Sequence, residues 1–176
     1  MACAVVLGVL GWSDAARAAP DESAVQAAFV LNFAKFTEWP PVNLTGRQSV
    51  MQLCQFGVRD ELAQAFRALE GRPLQGLPLQ WRKVTKLDDV RSCHVLFVAE
   101  PGFPLEVLGG LPVLTVSDLP GFTQQGGVIG LVRQSGRLRF EVNRGVAQAA
   151  GLRLSADLLS LAMSVLDGSV RREGTM

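Results

Sequence analysis

The chain contains one histidine, His94, which directly follows Cys93. A catalytic cysteine–histidine pair must direct both side chains at one reacting centre. The run Cys93-His94-Val95-Leu96-Phe97-Val98 has the composition of a buried strand, and adjacent strand residues point to opposite faces of a sheet. The spacing therefore argues against a cysteine nucleophile activated by His94.

Other catalytic patterns and metal sites have equally little support. One histidine and two cysteines lack the paired C-x-x-C spacing of a structural zinc site. Gly126-Gly127 has neither the lysine nor the GxGxxG arrangement of a phosphate-binding loop. No acid pair and no Ser-His-Asp set emerges. The sequence predicts a protein that is not an enzyme and that uses no cofactor and no metal.

Three acidic residues, Asp60, Glu100 and Asp118, lie where a predicted strand ends or the next helix begins. Open parallel sheets bind ligands outside the carboxyl ends of their strands. These residues are therefore candidates for a small-molecule crevice. The expectation rests on fold analogy alone.

The first residues indicate an exported protein. An apolar run from Ala2 to Leu10 is too short to span a bilayer, and Ala16-Arg17-Ala18 is a small-x-small cleavage pattern. We expect a signal peptide over residues 1–18, although no basic residue precedes the apolar run. Residues 19–176 then form one domain, with a core over about residues 24–166. The mature protein is predicted to be periplasmic and not inserted in the membrane.

Cleavage leaves two cysteines, Cys54 and Cys93. In an oxidising compartment two cysteines predict one disulfide, and both lie in predicted buried strands. Closing a loop of about 40 residues stabilises a fold by about 4 kcal/mol on the chain-entropy account. The alternative is two buried free thiols. The formal net charge is +1 with no basic stripe, which gives nucleic-acid binding no support.

The order of predicted elements indicates the fold class. Helices are expected at about 23–38, from 60, at 144–150 and at 155–166; strands are expected at about 50–56, 77–84, 94–99, 112–116, 128–133 and 138–142. Strands that alternate with helices predict a single α/β domain with a mostly parallel central sheet. The last two strands predict a C-terminal antiparallel hairpin, and we expect helices on both faces.

The first helix carries the most unusual composition. Phe29, Phe33 and Phe36 recur at helical spacing, and Trp39 precedes the proline that follows the helix. The helix is apolar nearly all round, so it is either a core helix or a helix that binds a partner. Phe103 and Phe122 lie in glycine-flanked loops and are predicted to be exposed contacts. The candidates for a partner or dimer surface are Phe29, Phe33, Phe36, Trp39, Phe103 and Phe122.

These segments together resemble the YfiR family of periplasmic regulators. The resemblance covers about residues 24–166. Its marks are Glu38-Trp39-Pro40, Cys54 in the first long strand, the run Cys93 to Val98, Gly121-Phe122 with Gly126-Gly127, the run Leu138 to Asn143, and Ala150 to Ser155 leading into Leu158 to Ala162.

The resemblance implies a homodimer that represses a membrane-bound diguanylate cyclase, YfiN, by binding its periplasmic sensor region. It also implies that an outer-membrane lipoprotein, YfiB, sequesters the repressor, so that cyclic-di-GMP and biofilm growth rise. Cys54 and Cys93 match a structural disulfide of the family. A second cysteine pair found in some members is absent here, so redox control through it is not expected.

Two alternatives stay open. One is a periplasmic small-ligand binding or sensing domain that uses the strand-end crevice. The other is a thiol oxidoreductase, against which the absence of C-x-x-C argues.

Overall fold

The computed structural model describes residues 21–41 and 49–168. The predicted signal peptide and its cleavage site lie outside these residues.

The described residues contain ten strands and four α-helices. The strands are β1 (Thr37–Glu38), β2 (Met51–Phe56), β3 (Pro73–Leu74), β4 (Leu77–Val84), β5 (Val95–Val98), β6 (Leu114–Ser117), β7 (Ile129–Gln134), β8 (Arg137–Asn143), β9 (Arg153–Leu154) and β10 (Ser164–Leu166). The helices are α1 (Glu22–Lys35), α2 (Asp60–Arg67), α3 (Arg144–Ala149) and α4 (Ala156–Leu161), with short 3-10 helices at Leu87–Ser92 and Leu105–Leu108.

Eight strands form one sheet in the order β10-β8-β7-β6-β5-β2-β4-β3. The ladders are parallel except for β3 with β4 and β7 with β8. The α/β fold with a mostly parallel sheet and a C-terminal antiparallel hairpin is thus confirmed. Ser135 and Gly136 connect β7 to β8, both with positive φ (49° and 73°), as the two-residue hairpin turn requires.

The two faces of this sheet carry separate apolar cores. Successive residues of a strand point to opposite faces, so Phe97 of β5 belongs to one core and Leu96 belongs to the other. All four α-helices pack on the side of Phe97, which we call the helical face. Two 3-10 helices and the loop of residues 118–128 cover the side of Leu96, which we call the turn face.

The first helix ends earlier than its apolar pattern predicts. α1 ends at Lys35, and Thr37–Glu38 instead pairs antiparallel with Arg153–Leu154. The hydroxyl of Thr37 donates to the carbonyl oxygen of Phe33 (2.7 Å). The prediction of a helix to residue 38 is wrong because this backbone finds a strand partner that is distant in the sequence.

The last predicted helix is also too long. α4 ends at Leu161, Ala162 is extended (φ −68°, ψ 142°), and Ser164–Leu166 pairs parallel with β8. Apolar residues at helical spacing, here Leu158, Leu161 and Val165, do not distinguish one helix from a short helix followed by a strand. The free edge of β8 decides the outcome, because its backbone groups need hydrogen-bond partners.

Candidate functional site

The amino-terminal half of α1 is fixed to the sheet by a polar cluster. Arg59 donates through Nη1 to both carboxylate oxygens of Asp118 (2.8 and 2.6 Å) and through Nη2 to Oε1 of Gln26 (3.0 Å). Gln26 donates through Nε2 to Asp118 (3.0 Å) and is buried. Buried polar groups need such partners, so this cluster fixes how α1 is oriented on the helical face.

The carboxyl-terminal end of α1 is held as firmly. The side-chain amide of Gln75 donates to the carbonyl oxygens of Ala34 (3.1 Å) and Thr37. The backbone N–H of Ser155 donates to the carbonyl oxygen of Phe36 (2.9 Å). With both ends held, the helix presents one defined side outward.

That outward side is a ridge of three exposed residues, Ala24, Ala28 and Asn32. They follow one another at a spacing of four and therefore line up on one side of the helix. An apolar groove runs along each flank of the ridge, and the same three residues line both grooves. We call the ridge with its two grooves the α1 surface.

The larger groove, here the Phe36 groove, has a volume of about 500 Å³. One side of α1 lines it together with Phe140 of β8 and with Leu158 and Leu161 of α4. Phe36 is 42% exposed and Leu161 is 69% exposed. Large apolar side chains at such exposure around a concave surface are typical of protein contacts.

The smaller groove, here the Leu69 groove, lies between α1 and α2 and has a volume of about 400 Å³. Leu31, Ala65 and Leu69 line it, and Lys35 and Arg72 lie along it. The α1 surface is thus apolar on both flanks of its ridge and carries few charges.

The six aromatic candidates for a contact surface separate into two groups. Phe36 is exposed and Phe29 is partly exposed, and both line the Phe36 groove. Phe33, Trp39, Phe103 and Phe122 are each at most 8% exposed.

The prediction that Phe103 and Phe122 are exposed is therefore wrong. Phe103 packs edge-on against Phe56, with ring centroids 4.9 Å apart. The ring of Phe122 lies where a Cβ atom on residue 127 would be. It fits there because residue 127 is a glycine. Both rings therefore pack into the core of the turn face instead of extending into solvent.

The three acids of the predicted crevice lie around residues 58–60, where β2 leads into α2. Asp118 is engaged by Arg59 and Gln26, and Glu100 accepts a hydrogen bond from the backbone N–H of Val58 (2.6 Å). Asp60 is exposed in the first turn of α2, where a negative charge is favourable for the helix dipole. Two of the three carboxylates thus already have partners within the chain.

Cys54 and Cys93 form the predicted disulfide, with their Cα atoms 5.9 Å apart. Both residues are buried in the core of the turn face. His94 precedes β5 and is buried; its ring centroid lies 6.4 Å from that of Trp39 in the core of the helical face, and its Nδ1 accepts from the backbone N–H of Gln52 (3.0 Å). The disulfide consumes both thiols, as predicted, and His94 has a structural partner.

Sequence reasoning missed the outward apolar residues Leu161, Met163 and Val165, which are 38–69% exposed. It placed Leu161 and Val165 on one apolar stripe of the last predicted helix, but did not single them out as contact residues. It also missed Gln26, although a glutamine among the apolar residues of α1 was a visible signal. Within residues 21–41 and 49–168, no cluster of three potential metal ligands occurs and no helix is long and apolar enough to cross a membrane.

Two solved structures resemble the fold. A conserved domain protein from Vibrio cholerae O1 biovar El Tor strain N16961 is 10% identical, with a TM-score of 0.49 over 82% of this chain and 60% of its own length. The ABC domain in complex with L-Trp from Streptococcus pneumonia is 12% identical, with a TM-score of 0.45 over 80% of this chain and 60% of its own length. This chain thus spans 60% of the length of either structure.

No curated protein matches the sequence. A protein-family model described as YfiR/HmsC-like matches residues 23–163. The match extends from the start of α1 to the residue before β10 and so includes the α1 surface, the disulfide and seven of the eight strands of the large sheet. The chain belongs to the YfiR/HmsC-like family.

Proposed function

We propose that this chain is an exported binding protein that lowers the activity of a membrane-bound diguanylate cyclase by contacting its periplasmic sensor region. Membership of the family supports this proposal, because the family is regulatory rather than catalytic and acts in cyclic-di-GMP signalling in the periplasm. A regulator that acts by contact needs an exposed surface that binds its partner.

The observation that carries the proposal is the exposed apolar α1 surface. Burying apolar area contributes about 25 cal/mol per Å². A partner that covers the exposed groove, with Phe36 and Leu161 at its rim, would therefore gain binding free energy. Both ends of α1 are held by hydrogen bonds, so little order has to be gained on binding.

We also propose that an outer-membrane lipoprotein competes for this repressor and thereby releases the cyclase. Competition requires only that the two partners bind overlapping surfaces of the repressor or prefer different conformations of it. The α1 surface offers one such shared contact region, because its two grooves lie side by side along a single helix.

Cyclic-di-GMP measured in a deletion strain tests the proposal. We expect deletion of the gene to raise the cyclic-di-GMP level and the wild-type gene to restore it. Leu161→Asp at the rim of the Phe36 groove should fail to restore it, whereas Leu87→Asp should succeed. Leu87 is the matched control, because it is also an exposed leucine (41%) but lies beside the turn face.

An unchanged cyclic-di-GMP level in the deletion strain would overturn the proposed function. If both variants restore the cyclic-di-GMP level equally, at equal protein amounts in the periplasm, the protein regulates the cyclase but does not use the α1 surface to do so.

A further inference from the structure

A cavity of about 370 Å³ lies apart from the α1 surface and shares no lining residue with it. Residues 105–113 and the end of α3 line this cavity, together with Thr115 of β6 and Val128, which precedes β7. Its volume is within the range of small-molecule sites. A ligand bound in it would leave the α1 surface free for a protein partner.

The floor of the cavity is apolar. Leu108, Val113 and Val128 line it and are buried, and all three are aliphatic. Thr115 is a buried polar side chain of the floor, and its Oγ1 already accepts a hydrogen bond from the backbone N–H of Val128 (2.9 Å). A charged group placed here would lose its hydration, so the floor favours an aliphatic chain.

The mouth of the cavity is negative. Its exposed lining residues are Glu106, Gly109, Gly110 and Ala149, and Glu106 is the one charged side chain among the described residues that line the cavity. Ala149 is the last residue of α3. The last carbonyl oxygens of a helix lack partners within the helix and carry a partial negative charge. The mouth therefore favours a cation and disfavours an anion.

The mouth is also preformed. The backbone N–H of Gly109 donates to the carbonyl oxygen of Glu106 (3.1 Å), and Gly109 and Gly110 both have positive φ (46° and 80°). A Cβ atom on residue 110 would lie 3.5 Å from the carbonyl oxygen of Ala149, so this turn and the end of α3 are close together. A preformed site loses little conformational freedom when a ligand binds.

We propose that this cavity binds a small primary amine with an aliphatic body. The alkyl chain lies on the buried floor, and the ammonium group donates hydrogen bonds to the carboxylate of Glu106 and to the carbonyl oxygen of Ala149. An ammonium group suits two acceptors because it carries three N–H donors. This inference goes beyond the proposed function and does not depend on it, since the cavity and the α1 surface are separate.

The test compares ligands that share one alkyl chain and differ in their head group: n-hexylamine, n-hexanol and n-hexanoate. Each is titrated into the exported, purified protein, and the amide NMR signals of Gly109, Gly110 and Ala149 are followed. We expect hexylamine to bind with a Kd on the order of 1 mM and about 10-fold more tightly than hexanoate, with hexanol between them.

Glu106→Gln tests the head group. It should lower the affinity for hexylamine to that for hexanol and leave the affinity for hexanol unchanged, because it removes the charge and keeps the alkyl contacts. Glu61→Gln is the matched control, since Glu61 is an exposed glutamate on α2, outside the cavity. It should leave the affinities for all three ligands unchanged.

Ala149→Leu tests the location. The larger side chain at the mouth should abolish binding of both hexylamine and hexanol. Gln148→Leu is the matched control, because Gln148 is the exposed neighbour on α3 and does not line the cavity. Melting curves of all variants show whether each chain is folded, so loss of binding is separated from loss of the fold.

Four results would overturn the inference. The first two are NMR signals that do not change at about 10 mM hexylamine, and hexanoate that binds as tightly as hexylamine. The other two are a Glu106→Gln protein that still prefers hexylamine over hexanol, and an Ala149→Leu protein that binds hexylamine as the wild type does.

Discussion

The two faces of the central sheet are covered in different ways. The helical face buries Phe33, Phe66 and Phe97 beneath four α-helices, and the rings of Phe66 and Phe97 meet edge-on at 5.6 Å. The turn face is covered by two 3-10 helices and a loop, and it contains the disulfide between Cys54 and Cys93. Short turns make few repeating contacts with a sheet, so on this face a covalent link supplements apolar burial.

The comparison also separates stability from binding. On the turn face, the aromatic side chains of the loops point into the core and are buried. On the helical face, the core is complete beneath α1, yet the outer side of the same helix stays apolar and exposed. A helix that is apolar nearly all round can therefore serve the core with one side and a partner with the other.

The largest expected effect on stability is on the helical face. Phe97→Ala should lower the free energy of unfolding by about 3–5 kcal/mol, because it removes a fully buried ring and leaves a cavity. Phe36→Ala, on the same side of the sheet but exposed, should lower it by less than about 1 kcal/mol. Urea unfolding monitored by circular dichroism measures both. Equal losses would mean that the buried Phe97 stabilises the core no more than the exposed Phe36 does.

Removal of the disulfide should have the next largest effect. The bridge spans a sequence separation of 39 residues, and its loss should cost about 4 kcal/mol at most, with the helical face still folded. The measurement is the melting temperature of Cys54→Ala/Cys93→Ala against wild type, with and without reductant. Reductant should destabilise the wild type alone. A double variant that melts with the wild type would show that the bridge contributes nothing to the turn face.

A smaller loss is expected for Phe122→Ala. This ring packs onto Gly127 from a loop, and a loop can move inward and fill part of the space, so about 2–3 kcal/mol should be lost. Urea unfolding of this variant and of Phe97→Ala gives the two losses in free energy of unfolding, one for each face, and thus their ratio. A larger loss for Phe122→Ala than for Phe97→Ala would reverse the comparison.

The smallest expected effect on stability concerns the polar cluster beneath α1. Asp118→Asn keeps the size of the side chain but removes the charge that Arg59 contacts at 2.6 Å in a partly exposed pair. We expect a loss of about 1 kcal/mol in the free energy of unfolding. Glu38 pairs with Arg153 at 3.6 Å on the surface, so Glu38→Gln should change almost nothing and is the control. Indistinguishable variants would mean that the cluster does not hold α1.

The features that could be predicted from the sequence are those that local patterns of residues determine. The alternation of strands with helices predicted the α/β class, and two cysteines in a chain predicted to be exported indicated the disulfide that the structure contains. The run Gln134-Ser135-Gly136-Arg137 between the last two predicted strands is a hairpin signal, and the positive φ values of Ser135 and Gly136 fit the turn. Each of these features depends on a few neighbouring residues or on composition.

The errors arose where distant parts of the chain decide. Thr37–Glu38 and Ser164–Leu166 are strands because β9 and β8 offer them backbone partners. Phe122 is buried because Gly127 leaves room for its ring. Periodicity could not say which side of α1 faces solvent, since all its sides are apolar. The α1 surface therefore became visible only with the neighbours of that helix in place.

The most direct test of the account is the activity of the detergent-solubilised diguanylate cyclase from the deletion strain, measured with the purified protein added back. The account predicts that wild type and Leu87→Asp lower the rate of cyclic-di-GMP synthesis to a similar extent, and that Leu161→Asp leaves it unchanged. A rate that stays the same when the wild-type protein is added would contradict the central claim that this protein restrains the cyclase by direct contact.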